Sequence, residues 1–114
     1  MMVLVVEDQV DARDTLRDVL EDEGYRVMVA RDGNEALQHL AGAAPSLVIL
    51  DLLMPGMSGN ALYDEMQRSR SLAKIPVLVT TSDPTRAPRG VPTLEKPIQI
   101  DTLLSLVALA CGRA

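Results

Sequence analysis

Leu47-Val48-Ile49-Leu50-Asp51-Leu52-Leu53-Met54-Pro55-Gly56 is a run of four aliphatic residues closed by a carboxylate and then by a turn. Consecutive aliphatic residues with no polar partner predict a strand buried on both faces, the pattern of a parallel sheet flanked by helices. In open α/β sheets ligands gather at the carboxyl ends of the strands, so Asp51 falls where chemistry is done. Met54-Pro55-Gly56 turns the chain there, Pro fixing φ and Gly accepting positive φ. Asp51 is thereby expected at the mouth of a rigid sheet.

The whole chain has 114 residues, enough for one domain with a real core and too few for two ordinary ones, so a single domain over residues 1–114 is expected. Hydrophobic residues make up 47 %, yet Phe and Trp are absent and Tyr25 and Tyr63 are the only aromatic residues apart from His39. The core must be built from Leu, Val, Ile, Ala and Met, and stacking on bases is essentially unavailable. A net charge of −5 and pI near 4.7 would repel a phosphate backbone, which argues against nucleic acid as a partner. Cys111, the sole cysteine, excludes an internal disulfide and a thiolate metal cage, and is expected to be a small buried hydrophobe. No apolar run reaches the roughly 18 residues a membrane span requires, and the opening Met1 to Val6 is too short for a signal peptide. A soluble, cytoplasmic protein is the expectation.

Outward from the central run, the same grammar repeats. Val3 to Val6 predicts a strand ending in Glu7-Asp8, followed by a helix capped by Asp8, Gln9 or Asp11 that carries Val10, Leu16, Val19 and Leu20 inward and stops at Gly24. Arg26 to Ala30 predicts another strand, and Asp32-Gly33-Asn34 turns into a helix with Ala36, Leu37, Leu40 and Ala41 on one face. After the Asp51 strand, Ser58 can cap a helix from Gly59 to about Ser69 with Leu62 and Met66 inward. Pro76 to Thr81 predicts a strand ending in hydroxyls. From Asp83 to Pro92, three prolines and a glycine leave no apolar periodicity, so an ordered loop or single turn is expected. Thr93 to Glu95 is a short strand leading to Lys96-Pro97, and Ile98 to Cys111 a strongly apolar helix. Five strands alternating with four helices predict a doubly wound, flavodoxin-like α/β fold with right-handed crossovers.

Parallel connectivity brings Glu7, Asp8, Asp51, Thr81 and Lys96 to one sheet edge. Two carboxylates about 4 Å apart repel by ~4 kcal/mol at an effective dielectric near 20, so three together call for a cation. Mg²⁺, a hard ion that takes carboxylates, carbonyls and water and is often shared with phosphate, suits them. A lysine and a hydroxyl beside it suit phosphoryl oxygens, and a carboxylate is a competent nucleophile toward phosphorus.

In order and spacing, Glu7-Asp8, Asp51 with Met54-Pro55-Gly56-Met57-Ser58-Gly59, Thr81 and Lys96-Pro97 resemble the receiver domain of bacterial two-component response regulators, over essentially the whole chain. The resemblance implies that Asp51 is the phosphoacceptor and that Asp8, Asp51 and the Leu53 carbonyl hold Mg²⁺, with Glu7 acting through water. It implies that Lys96 grips the phosphoryl group and Thr81 is the switch hydroxyl. It further implies a sensor histidine kinase or histidine phosphotransfer protein as donor, docking around Val10 to Leu16 and Pro97 to Ile100. The resemblance implies as well that the domain catalyses its own phosphotransfer and dephosphorylation, and it is not expected to be an enzyme otherwise.

Three departures stand out. The family places a helix between the Thr and Lys strands where this chain has the proline loop, and an aromatic residue where Thr93 lies; Ser82 replaces a very small residue. Leu53 and Asp83 occupy positions that tune hydrolysis, Leu53 hindering water and Asp83 able to orient one. A pseudo-receiver that binds partners without phosphorylation is the alternative. A phosphatase of the haloacid dehalogenase type is disfavoured, because it needs an Asp where Leu53 sits. On the last helix Ile100, Leu103, Leu104 and Val107 form a core stripe, while Leu106 and Leu109 lie beside it. Those two either pack under the proline loop or make a homodimer face. His39, alone on its helix, is expected at the surface, and the acidic residues of the first helix on a solvated face.

Overall fold

Leu47 to Asp51 forms a strand buried at every residue, as a central strand covered on both sides must be. In the computed structural model, which describes residues 1–112, it is β3 of a five-stranded parallel sheet. The other strands are β1 (Met2–Val6), β2 (Arg26–Ala30), β4 (Val77–Thr81) and β5 (Thr93–Glu95), in the order β2-β1-β3-β4-β5. Four helices connect or follow them: α1 (Val10–Asp22), α2 (Gly33–Gly42), α3 (Gly59–Arg68) and α4 (Ile100–Ala110). Single 3-10 turns occupy Leu72–Lys74 and Pro84–Arg86.

Strand side chains alternate between two cores, as a pleated sheet dictates. Leu4, Val6, Val48, Leu50, Val77 and Val79 face Ala36 and Leu40 of α2 and Leu62 and Met66 of α3. Val3, Val5, Leu47, Ile49 and Leu78 face Leu16 and Leu20 of α1 and Leu103 and Val107 of α4. Each fully buried Leu, Val or Ile contributes about 1.5–3 kcal/mol relative to exposure, and this double layer holds the sheet edge in place.

The predicted Ser58 cap is present, its Oγ accepting from Ala61 N at 3.1 Å, and Asp32, read in the sequence only as part of a turn, caps α2, its Oδ1 accepting from Glu35 N at 2.8 Å. The N-cap of α1 is Gln9, with no side-chain cap bond, and α4 starts at Ile100 rather than Ile98. Three inward assignments are corrected. Val10 is 56 % exposed and Ile100 38 %, and Ala41 is also exposed. All three sit in a terminal turn of a helix. His39 is half-buried rather than free, its Nε2 3.1 Å from the Val29 carbonyl oxygen on the edge strand β2. Cys111 and Tyr25 are buried and Tyr63 half-buried.

Where a helix between β4 and β5 would lie, residues 82–92 form only the Pro84–Arg86 turn and a loop. Ala87 and Val91 pack against the core shared by α2 and α3, so the loop covers that part of the sheet with two small side chains.

Candidate active site at the carboxyl edge of the sheet

Register sets the site before any side chain is considered. Val6 pairs with Leu50, so Glu7 and Asp51 leave neighbouring strands side by side; Thr81 pairs with Glu95, so Lys96 leaves β5 next to them. The Lys96 amide donates to the Thr81 carbonyl at 2.8 Å, which pins the lysine's backbone to the end of β4. The Lys96–Pro97 peptide is cis.

Lys96 Nζ lies 3.0 Å from Glu7 Oε1 and 3.4 Å from Asp51 Oδ1. Both carboxylates are only 2 % exposed as residues. Partial burial of the ammonium works against its charge, yet the hydrogen bond to Glu7 and the charges of Asp51 and Glu7 outweigh that, and the Lys96 pKa stands above the ordinary lysine value. Glu7 Oε2 also accepts from Gln9 N at 3.2 Å, and Asp51 Oδ1 from Leu53 N at 3.4 Å.

Asp8 differs from the other two. Its Oδ1 is buried and has no hydrogen-bond partner, and one carboxylate oxygen from each of Glu7, Asp8 and Asp51 lies within 4.8 Å of the others. A buried, unsatisfied anionic oxygen costs free energy that a ligand recovers. Three hard oxygen donors around it fit a small divalent cation such as Mg²⁺.

Thr81 is brought to the same edge, fully buried, but its hydroxyl is directed at the following loop: Oγ1 accepts from Asp83 N at 3.0 Å and donates to Asp83 O at 3.3 Å. The Asp83 carboxylate is itself occupied. It accepts from the backbone and hydroxyl of Thr85 and pairs with Arg86 Nε at 3.3 Å; the Thr85 hydroxyl bond foremost, with the Arg86 charge, holds its pKa below the usual carboxylate range. The Leu53 side chain is 44 % exposed at the mouth.

The contacts of two supporting residues escaped the sequence reading, which had Gly59 only as part of a motif and a helix start, and Asn60 not at all. A Cβ on Gly59 would come 2.4 Å from the Asp51 carbonyl oxygen and 2.7 Å from Leu52 Cα, so glycine there lets α3 start against the acceptor's own backbone. The signal was present as a glycine directly after the Ser58 cap. Asn60 Nδ2 donates to the Arg86 carbonyl at 3.1 Å, tying α3 to the proline loop; nothing in the sequence announces that contact.

Beside the site a cleft of about 350 Å³ is lined by Glu7, Ala12, Thr15, Lys96, Ile98 and the exposed Ile100, among others; Val10, also exposed, immediately precedes its lining residue Asp11. These fall in the two segments expected to meet a phosphodonor.

With this geometry, residues 3–108 match the response regulator receiver domain, and the chain belongs to that family. It is 43 % identical over 82 residues to the sensor histidine kinase TmoS of Ectopseudomonas mendocina, an alignment that covers 72 % of this chain and 8 % of the kinase. The chain likewise spans only 33 % of one further matched relative and 34 % of another. Among solved structures, the receiver domain of a signal transduction histidine kinase from Syntrophus aciditrophicus superposes with a TM-score of 0.90 at 34 % identity, covering 97 % of this chain and 89 % of that one. The response regulator TrrA of Thermotoga maritima, solved with Mg²⁺ and BeF, gives 0.86 at 27 % identity, covering 96 % of this chain and 97 % of that one.

Proposed function

We propose that this receiver domain, a single unit over residues 1–114, takes a phosphoryl group onto Asp51 from a phosphohistidine of a sensor histidine kinase or histidine phosphotransfer protein, and thereby switches partner binding. The observation that carries the reading is the meeting of Asp51 with Lys96, Glu7 and the unpartnered Asp8 oxygen at one sheet edge. Asp51 attacks phosphorus; an O–P bond forms, the N–P bond to the donor histidine breaks, and the imidazole leaves with its nitrogen free to take a proton. Lys96, already 3.4 Å from Asp51, meets the phosphoryl oxygens and offsets their charge. Asp8, Asp51 and the Leu53 carbonyl would hold Mg²⁺, with Glu7 acting through water. Bound there, the ion supplies charge stabilisation for the transferring group.

The donor docks on the apolar cleft between α1 and the Lys96–Ile100 segment, where Val10 and Ile100 leave apolar surface uncovered. Two-component partners of this kind place the domain in the cytoplasm. Hydrolysis is slow on this reading. Leu53 crowds the mouth, and Asp83, bound by Thr85 and Arg86, is not free to orient water. Leu106 packs against the core while Leu109 is 68 % exposed, so a homodimer would form through Leu109; sedimentation showing only monomer at high concentration rejects it.

Intact mass after incubation with acetyl phosphate tests the central claim. A single phosphoryl adduct that needs Mg²⁺ and is lost in Asp51→Asn is expected. No adduct with Mg²⁺ present turns the assignment to an unphosphorylated interaction module, the pseudo-receiver.

A further inference from the structure

The chain's charge is unevenly distributed. Residues 66–94 hold five of its 11 Lys and Arg residues and one of its 16 acidic residues. Within that stretch Arg68 pairs with Glu65 and Arg86 with Asp83. Arg70, Lys74 and Arg89 are exposed and, among the described residues, form no ion pair.

These three cations lie close in sequence to residues that line one cleft. A cleft of about 190 Å³ lies between α3, the turn leading into β4, and the end of the proline loop, lined by Tyr63 and Gln67 on the first, Ala73 and Ile75 on the second, and Gly90 and Val91 on the third. Arg70 follows α3, Lys74 sits between Ala73 and Ile75, and Arg89 precedes Gly90. Tyr63 and Gln67 bring a hydroxyl and an amide to the cleft, and neither side chain has a hydrogen-bond partner among the described residues. Gly90 and Val91 bring to the cleft the end of the loop that stands where a helix between β4 and β5 would lie.

We propose that this cleft is a docking site for an acidic segment of a partner protein, an Asp or Glu side chain entering beside Tyr63 and Gln67 with Arg70, Lys74 and Arg89 around it. Charge complementarity selects the occupant: unpaired cations concentrated on one side of an otherwise acidic molecule attract an anionic segment to that side and repel it elsewhere. Nucleic acid fits less well, because no exposed aromatic platform is available for bases and the rest of the surface repels phosphates. The volume admits a side chain or two, not a helix, so the partner contributes an extended or loop segment. The proposal names the class of output partner for the signalling reading above, and rests on that reading only for its link to phosphorylation: the third wall of the cleft is the loop whose first residues hold the Thr81 hydroxyl.

The test is an amide chemical-shift titration of the ¹⁵N-labelled chain with octaglutamate peptide, with a Gly-Ser octamer and oligothymidine as controls. Shifts confined to residues 63–75 and 88–92 are expected, weakening about tenfold in Arg70→Ser/Lys74→Ser/Arg89→Ser and fading with added salt. The three side chains are exposed and unpaired, so the variant is expected to keep the native denaturation midpoint. Tyr63→Phe, which keeps the ring's packing and removes only the hydroxyl, should weaken binding severalfold. Octaglutamate shifts no larger than those of the Gly-Ser octamer, or unchanged in the triple variant, overturn the proposal. Larger shifts from oligothymidine at the same residues also overturn it, in favour of nucleic acid. The titration needs no phosphoryl group, and the triple variant should still accept one on Asp51, so failure of this proposal and failure of the phosphoacceptor reading are separate results.

Discussion

Lys96 is the residue on which the site's electrostatics balance. Its pKa is raised in the folded chain, so its ion pairs stabilise the fold fully below the ordinary lysine value of about 10.5 and are lost as pH rises through the higher folded value. Denaturation midpoints measured from pH 9 to 12 should therefore fall on the alkaline side, and Lys96→Met should remove most of that fall. Asp8 works in the opposite sense. With its buried oxygen unpartnered, Asp8→Asn should raise the melting temperature in the presence of a chelator, by a few degrees for ~1 kcal/mol, while weakening the response to Mg²⁺. Gly59 offers a steric test. Gly59→Ala drives a methyl into the backbone of Asp51 and Leu52, and should cost at least ~1–3 kcal/mol in urea unfolding and slow phosphoryl uptake, because the acceptor's backbone must shift.

At the level of elements, β3 and the proline loop are opposites. Ile49, 1 % exposed in the middle of β3, has no room to relax; Ile49→Ala should cost ~2–5 kcal/mol. The loop is held by a handful of contacts: the Thr81 hydroxyl on Asp83, Asn60 on Arg86, the Thr93 hydroxyl on Val91 at 3.0 Å, and the packing of Ala87 and Val91. A hydroxyl drawn toward a phosphoryl group on Asp51 must give up its bonds to Asp83. Exchange protection across residues 83–95 is thus expected to drop on phosphorylation, and Thr81→Ala to lower it without any phosphoryl group. The strand was legible in four aliphatic letters, and the cap at Ser58 in a single polar one, because burial on both faces and orphan backbone donors each leave a local mark. Gly59 and Asn60 were not legible as partners of Asp51 and Arg86, since their contacts exist only once distant segments meet. Helical periodicity gave the phase of α1 and α4 but not their ends, where Val10 and Ile100 keep the apolar phase and find no sheet beneath them.

For the whole molecule, Mg²⁺ at about a hundred times its dissociation constant should add about 2.7 kcal/mol of stability, reversed by a chelator and diminished in Asp8→Asn; calorimetry with and without the ion measures it. The order and spacing of the five site residues made the family readable from sequence, because parallel strands deliver their ends to one edge whatever covers the faces. What covers each face was not readable, and it matters for how the domain is wired. The two cores never merge: α1 and α4 pack on one side of the sheet, α2, α3 and the proline loop on the other. The sheet is therefore a partition, with the cleft beside Lys96 on one side of the wall and the cleft beside Tyr63 and Gln67 on the other. Either surface is then free to be rewritten for a new correspondent without disturbing the one that faces away from it.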